Sequence, residues 1–93
     1  MKEIFCPITM FALKQKIYSV DTEKEEVATE LEEIETDFLP WALLDLCKQN
    51  DINKIHLAGD AVYIEDIVEN IKDYSEKNAI NYAELKDIEI EVN

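Results

Sequence analysis

Residues 54–71 read KIHLAGDAVYIEDIVENI and hold the only glycine of the chain, Gly59. The first five residues, KIHLA, are a short apolar run of strand length. After the glycine, Ile64, Ile67, Val68, Ile71 and Tyr74 recur at i, i+3, i+4, i+7 and i+10. That is the apolar stripe of an amphipathic helix, fading near Lys77. Asp60 is placed to cap it, and Glu65 and Asp66 put negative charge near the positive end of its dipole. Gly59 then permits a tight strand-to-helix turn.

The neighbouring segments extend this reading. The end of the chain, DIEIEV, alternates strictly: Ile88, Ile90 and Val92 face one way, Asp87, Glu89 and Glu91 the other. This predicts a half-buried strand, and strand–helix–strand predicts a parallel βαβ unit with a right-handed crossover. Upstream, DFLPWALLDLCKQN predicts a helix. Pro40 suits its first turn, Leu43, Leu44 and Cys47 face inward, and Asn50 can cap its end. The run EIFCPITMFAL is apolar on both alternating faces, as in a central strand, and KQKIYSVD is its expected partner. Pro7 removes a ladder donor there, so a bulge, or a strand starting after it, is expected.

Residues 25–35, EEVATELEEIE, fit two patterns. A capping box from Thr22 to Glu25 and the spacing of Val27, Ala28, Leu31 and Ile34 suggest helix. The alternation of Val27, Thr29 and Leu31 suggests strand. A central first strand needs hairpin neighbours on its free side, which favours the strand. The whole is then one domain, 1–93, of small mixed α/β architecture in the order β-β-β-α-β-α-β.

Composition narrows the function classes. Apolar residues make up 47% of the chain, as in folded globular proteins. No apolar run is long enough to span a bilayer, and the N-terminus lacks the pattern of a signal peptide. Cys6 and Cys47 have no CxxC spacing and read as buried, reduced thiols, so a cytoplasmic location is expected. The net charge is −13 without a single arginine, and between residues 21 and 37 nine acids face one base, Lys24. Such a field repels nucleic acid and anionic membrane and suits a basic partner.

The segment Ile55-His56-Leu57-Ala58-Gly59-Asp60-Ala61 is similar to the adenosine-contacting turn of the actin-like group. With the element order, the chain resembles the ribonuclease H-like fold shared by actin-like ATPases and sugar kinases. It is similar too to small phage and mobile-element proteins that pair such a turn with a terminal IEIEV strand. The resemblance implies a strand order of 3-2-1-4-5; two right-handed crossovers moving in the same direction along that sheet then put both helices on one face. The chain departs from the family where the family's chemistry lies. Asp60 stands where the actin-like turn has a second glycine. IFCPITMFALKQK lacks the D-x-G phosphate loop, and the first 20 residues hold no Asp and one acid, Glu3. The resemblance therefore implies the fold without its usual cofactor or catalysis.

Other candidate chemistry is sparse. His56 could serve as a general base, but no Ser or Cys has a spacing that marks it as a nucleophile. Glu65–Asp66 with Glu89 and Glu91 could hold Mg²⁺, although helix-start and edge-strand acids have ordinary roles. Trp41 reads as core or interface. The acids Glu25, Glu30, Glu32 and Glu35 could form a regular anionic row, with i,i+2 carboxylates about 6.6 Å apart on a strand.

The expected function is a non-catalytic, protein-binding accessory protein of a phage or mobile element, without cofactor or metal. One alternative is an acidic nucleic-acid mimic inhibiting a host nuclease or DNA-binding protein. The other is a nucleotide-binding remnant of the actin-like group. With both helices on one face, Phe5, Thr9, Phe11 and neighbouring His56 are expected on the uncovered face, meeting a partner or a second copy.

Overall fold

The computed structural model describes residues 2–9, 11–21, 23, 28–77 and 88–93. Glu25, Met10 and Asp87 lie outside the described residues. The elements are β1 (Lys2–Ile8), β2 (Lys14–Asp21), β3 (Thr29–Glu35), a 3-10 turn at Thr36–Phe38, α1 (Leu39–Asn50), β4 (Lys54–Gly59), α2 (Ala61–Lys77) and β5 (Glu89–Val92). The strands form one mixed sheet in the order β3-β2-β1-β4-β5. Strands β1, β2 and β3 pair as antiparallel neighbours, while β4 runs parallel to both β1 and β5. Ile55 stands opposite Ile90, so β4, α2 and β5 form the expected parallel βαβ unit.

The sheet has one covered face. Ile4, Cys6 and Ile8 of β1, Ile17 of β2, and Ile55 and Leu57 of β4 join Leu43, Leu44, Cys47, Ile64, Ile67 and Ile71 in a single buried cluster. Both helices thus lie on the same side and pack along each other. The molecule is a slab of 34 × 32 × 20 Å, thin in the direction that holds one helix layer on one sheet. Among the described residues, no helix covers the other face.

Gly59 has φ +133°, a conformation essentially reserved for glycine. It stands opposite Ile8 across the parallel ladder, and a Cβ there would overlap the Ile8 carbonyl. Asp60 then caps α2: its Oδ1 accepts the backbone N–H groups of Val62 and Tyr63, each at 3.1 Å.

Four local readings need correction. Strand β1 ends at Ile8, so Thr9 and Phe11 do not continue its outward row. Pro7 lies inside the strand, paired with Ala58. Its missing donor is felt towards β2, where the paired register stops at Phe5–Tyr18. Continuing that register would set Pro7 opposite Lys16, and the Lys16 carbonyl instead accepts the Cys6 thiol at 3.4 Å. The left-handed residue ending α1 is Asp51, not Asn50; the Asn50 side chain bonds the Leu46 carbonyl at 2.8 Å. Trp41 is not core: about half of it is exposed.

Candidate interaction surface

The four residues expected on one uncovered face occupy two places. Phe5 and His56 are neighbours on the open side of the central strands. Their rings meet edge to face, with centroids 5.4 Å apart and planes at 70°. A single row crosses the sheet here: Glu30, Tyr18, Phe5, His56 and Glu91 are successive partners on β3, β2, β1, β4 and β5. Within this row the His56 Nε2 atom is buried, and among the described residues nothing hydrogen-bonds it. One step along, Lys54 Nζ bridges Glu3 at 3.0 Å and Glu91 at 3.1 Å. These two carboxylates hold the Lys54 ammonium above its usual range, and Lys54 holds Glu91 below the usual carboxylate range.

Thr9 and Phe11 lie in the turn between β1 and β2, at the carboxyl end of β1. Phe11 has φ 61°, in the left-handed region, where a bulky side chain is an outlier. The residue is 83% exposed. Leu13 and Val62, at the start of α2, are also exposed large apolar residues. A groove of about 520 Å³ runs beside this tip, lined by Thr9, Phe11, Leu13, Thr36 and Tyr63 among others.

Gln15 holds the turn in this shape. Among the described residues it is the only polar one that is buried, at 2% exposed. Its Oε1 accepts the Thr9 N–H, and its Nε2 donates to the Thr9 carbonyl, both at 3.0 Å. Nε2 also donates to the Thr36 hydroxyl at 3.2 Å, and that hydroxyl donates to the Ala12 carbonyl at 2.8 Å. The Thr36 N–H donates to the Leu13 carbonyl at 3.0 Å. One side-chain amide thus stands in for a rung of the ladder and ties the turn to the end of β3. Burying an amide is tolerable only when its groups are satisfied in this way.

The acidic run does not form a regular row. A bulge in the β2–β3 register skips Leu31: Ile17 faces Glu32, and Tyr18 faces Glu30. Glu30 reaches Lys16 at 3.5 Å. Glu33 and Glu35 stand opposite Lys16 and Lys14. Glu32 instead lines a groove with Phe38 and Trp41 beside α1. Period-two carboxylate spacing is therefore lost, and lysines of β2 answer part of the charge.

The remaining candidate chemistry is not assembled. Cys6 and Cys47 sit in the core on the covered side of the sheet, and burial pushes each thiol up to about 12. They present no nucleophile to His56 on the open side. Among the described residues, no three His, Cys, Asp or Glu side chains come together as metal ligands. Glu65 and Asp66 are exposed on the first turns of α2, and the Asp60 carboxylate is engaged by the helix N-terminus.

Sequence reasoning missed Leu13, Gln15 and Val62. Leu13 ends the apolar run just before KQK, and Gln15 is flanked by two lysines. Neither position carries a local sign of its role. No helix among the described residues is long and apolar enough to cross a membrane.

No family model and no curated protein matches the sequence. Among solved structures, the chain is similar to a Bacteroides thetaiotaomicron (VPI-5482) protein with actin-like ATPase fold and unknown function. The TM-score is 0.59 at 17% identity; the alignment covers 99% of this chain and 32% of that one. The chain thus spans about a third of that protein's length, and the likeness establishes a mixed α/β, actin-like fold.

Proposed function

We propose that the chain is a small ribonuclease H-like domain that binds another protein and catalyses nothing itself, with the β1–β2 turn as its recognition element. The observation that carries this reading is Phe11. A bulky residue in the left-handed region costs about 1–2 kcal/mol, and here the ring gains no burial to offset it. Strain of this kind is held by a surrounding network and concentrates at ligand-contacting positions. Exposed aromatic anchors on a rigid element are the usual energetic centre of a protein interface. Leu13, which lines the same groove, enlarges the apolar tip.

Charge selects the partner. A second copy would bring another −13 to the interface, whereas a basic protein meets an attractive field. The partner is therefore a basic protein with an apolar depression that accepts Phe11 and Leu13. The broken carboxylate row and the lysines opposite Glu33 and Glu35 count against imitation of a phosphate backbone. Glu35 and Asp37 beside the turn count against a nucleotide phosphate there.

The test is to install benzoylphenylalanine at position 11 and irradiate cells of the source organism. An adduct with one basic protein is expected. Adducts formed only from a control position on α2, such as Glu69, would remove the turn as the recognition element.

A further inference from the structure

Strand β3 is an outer strand of the sheet, and among the described residues no strand pairs with its far edge. A groove runs alongside it, between β3 and α1. From β3 come Glu32 and Ile34; from the turn and α1 come the apolar Phe38, Trp41, Ala42 and Leu46 together with Asp45 and Gln49. The helix positions 38, 41, 42, 45, 46 and 49 follow i, i+3, i+4, so a single stripe of α1 is turned towards the open edge. Phe38 is 49% and Trp41 53% exposed, the two aromatic residues of that stripe. An open strand edge beside a helix stripe with exposed aromatic residues is an arrangement that takes an added strand. The main chain supplies hydrogen bonds, and the groove reads alternate side chains.

The charge pattern selects what enters. Edge strands are commonly blunted by charge, and cations are the usual choice. Strand β3 carries only anions: Glu30, Glu32, Glu33 and Glu35. Lys16 and Lys14 answer Glu30, Glu33 and Glu35 from β2. Glu32 faces the apolar Ile17 across the ladder and so has no cation opposite it, and it lines the groove beside Trp41. A lysine or arginine entering there meets the Glu32 carboxylate and the Trp41 ring face together.

We infer that the β3 edge and the Phe38–Trp41 groove bind an extended basic peptide, which adds to the sheet as a sixth strand. This site is separate from the Phe11 turn and stands or falls independently of it. A second copy of the chain is a poorer occupant, because β3 against β3 would set acids against acids.

Trp41 is the only tryptophan, so its fluorescence reports on this groove alone. The probe is an acetylated, amidated peptide GKVKLKG; its control has the same sequence with backbone N-methyl groups on the valine and on the lysine after it, so that a donor to β3 is lost whichever edge of the peptide faces the sheet. The expected result is a saturable blue shift with the first peptide, at least about tenfold weaker with the second. Glu32→Lys should also weaken binding at least about tenfold, while far-UV circular dichroism confirms that the variant is folded. Amide hydrogen exchange should slow along residues 29–35. The proposal is overturned by no shift up to about 1 mM, the range of the weakest specific contacts. It is equally overturned by equal shifts from both peptides, by undiminished binding to Glu32→Lys, or by protection confined to other strands. A shift that grows with protein concentration alone would assign the edge to a second copy.

Discussion

Ile8 and Gly59 face each other across the parallel ladder so closely that a Cβ on Gly59 would overlap the Ile8 carbonyl oxygen. Two independent constraints meet at this position, the contact and the φ of +133°. Gly59→Ala should therefore lower stability by more than the roughly 1–3 kcal/mol of backbone strain alone. A urea unfolding midpoint checks it; an unchanged midpoint would mean that β1 and β4 do not approach as described.

Phe11 should behave in the opposite sense. Glycine accepts its φ of 61° without strain, and the exposed ring contributes no packing. Phe11→Gly should leave stability unchanged or raise it by up to about 1 kcal/mol, the relief of strain less the added freedom of the unfolded chain. Thermal unfolding followed by circular dichroism gives the sign.

Gln15→Leu should be costly although the volumes are similar. It removes the partners of the Thr9 N–H and carbonyl. An expected loss is about 1–3 kcal/mol, the range for a buried polar group left unsatisfied. Faster hydrogen exchange at Thr9 and Thr36, measured by NMR, would locate the damage in the turn.

The two thiols give a pH prediction. In the folded protein each is raised from 9.0 to about 12 by burial, so folding favours the neutral form. The stability this contributes is complete below pH 9 and is lost as pH rises from 9 towards 12. The limit is on the order of 4 kcal/mol per thiol at the top of that window. At pH 8, Ellman's reagent should react only at the rate of unfolding; immediate reaction of either cysteine would show that it is not buried.

Periodicity made the βαβ half of the fold legible. The stripe of Ile64, Ile67 and Ile71, the alternation of DIEIEV and the lone glycine each reflect local geometry, and each has its expected place. Strand β3 was ambiguous locally, and the pairing needs of a central β1 decided it. The candidate site was less legible because tertiary contacts create it. Nothing in TMFAL marks a turn: no Gly or Asn supplies the left-handed residue, and Phe11 is held there by Gln15 from the next strand. The Leu31 bulge is equally hidden, since a register shift depends on the partner strand. It moved Glu32 onto the side of α1 and broke the row of acids that even spacing had suggested.

Phe11 is proposed as the anchor for a basic partner. Once the protein crosslinked through position 11 is purified, its affinity for the wild-type chain and for Phe11→Gly can be compared by calorimetry at low and high salt. Removing the ring should cost about 2 kcal/mol or more, near thirtyfold in Kd, and both forms should bind more weakly as salt rises. Equal affinity for the two chains, or binding indifferent to salt, would contradict it.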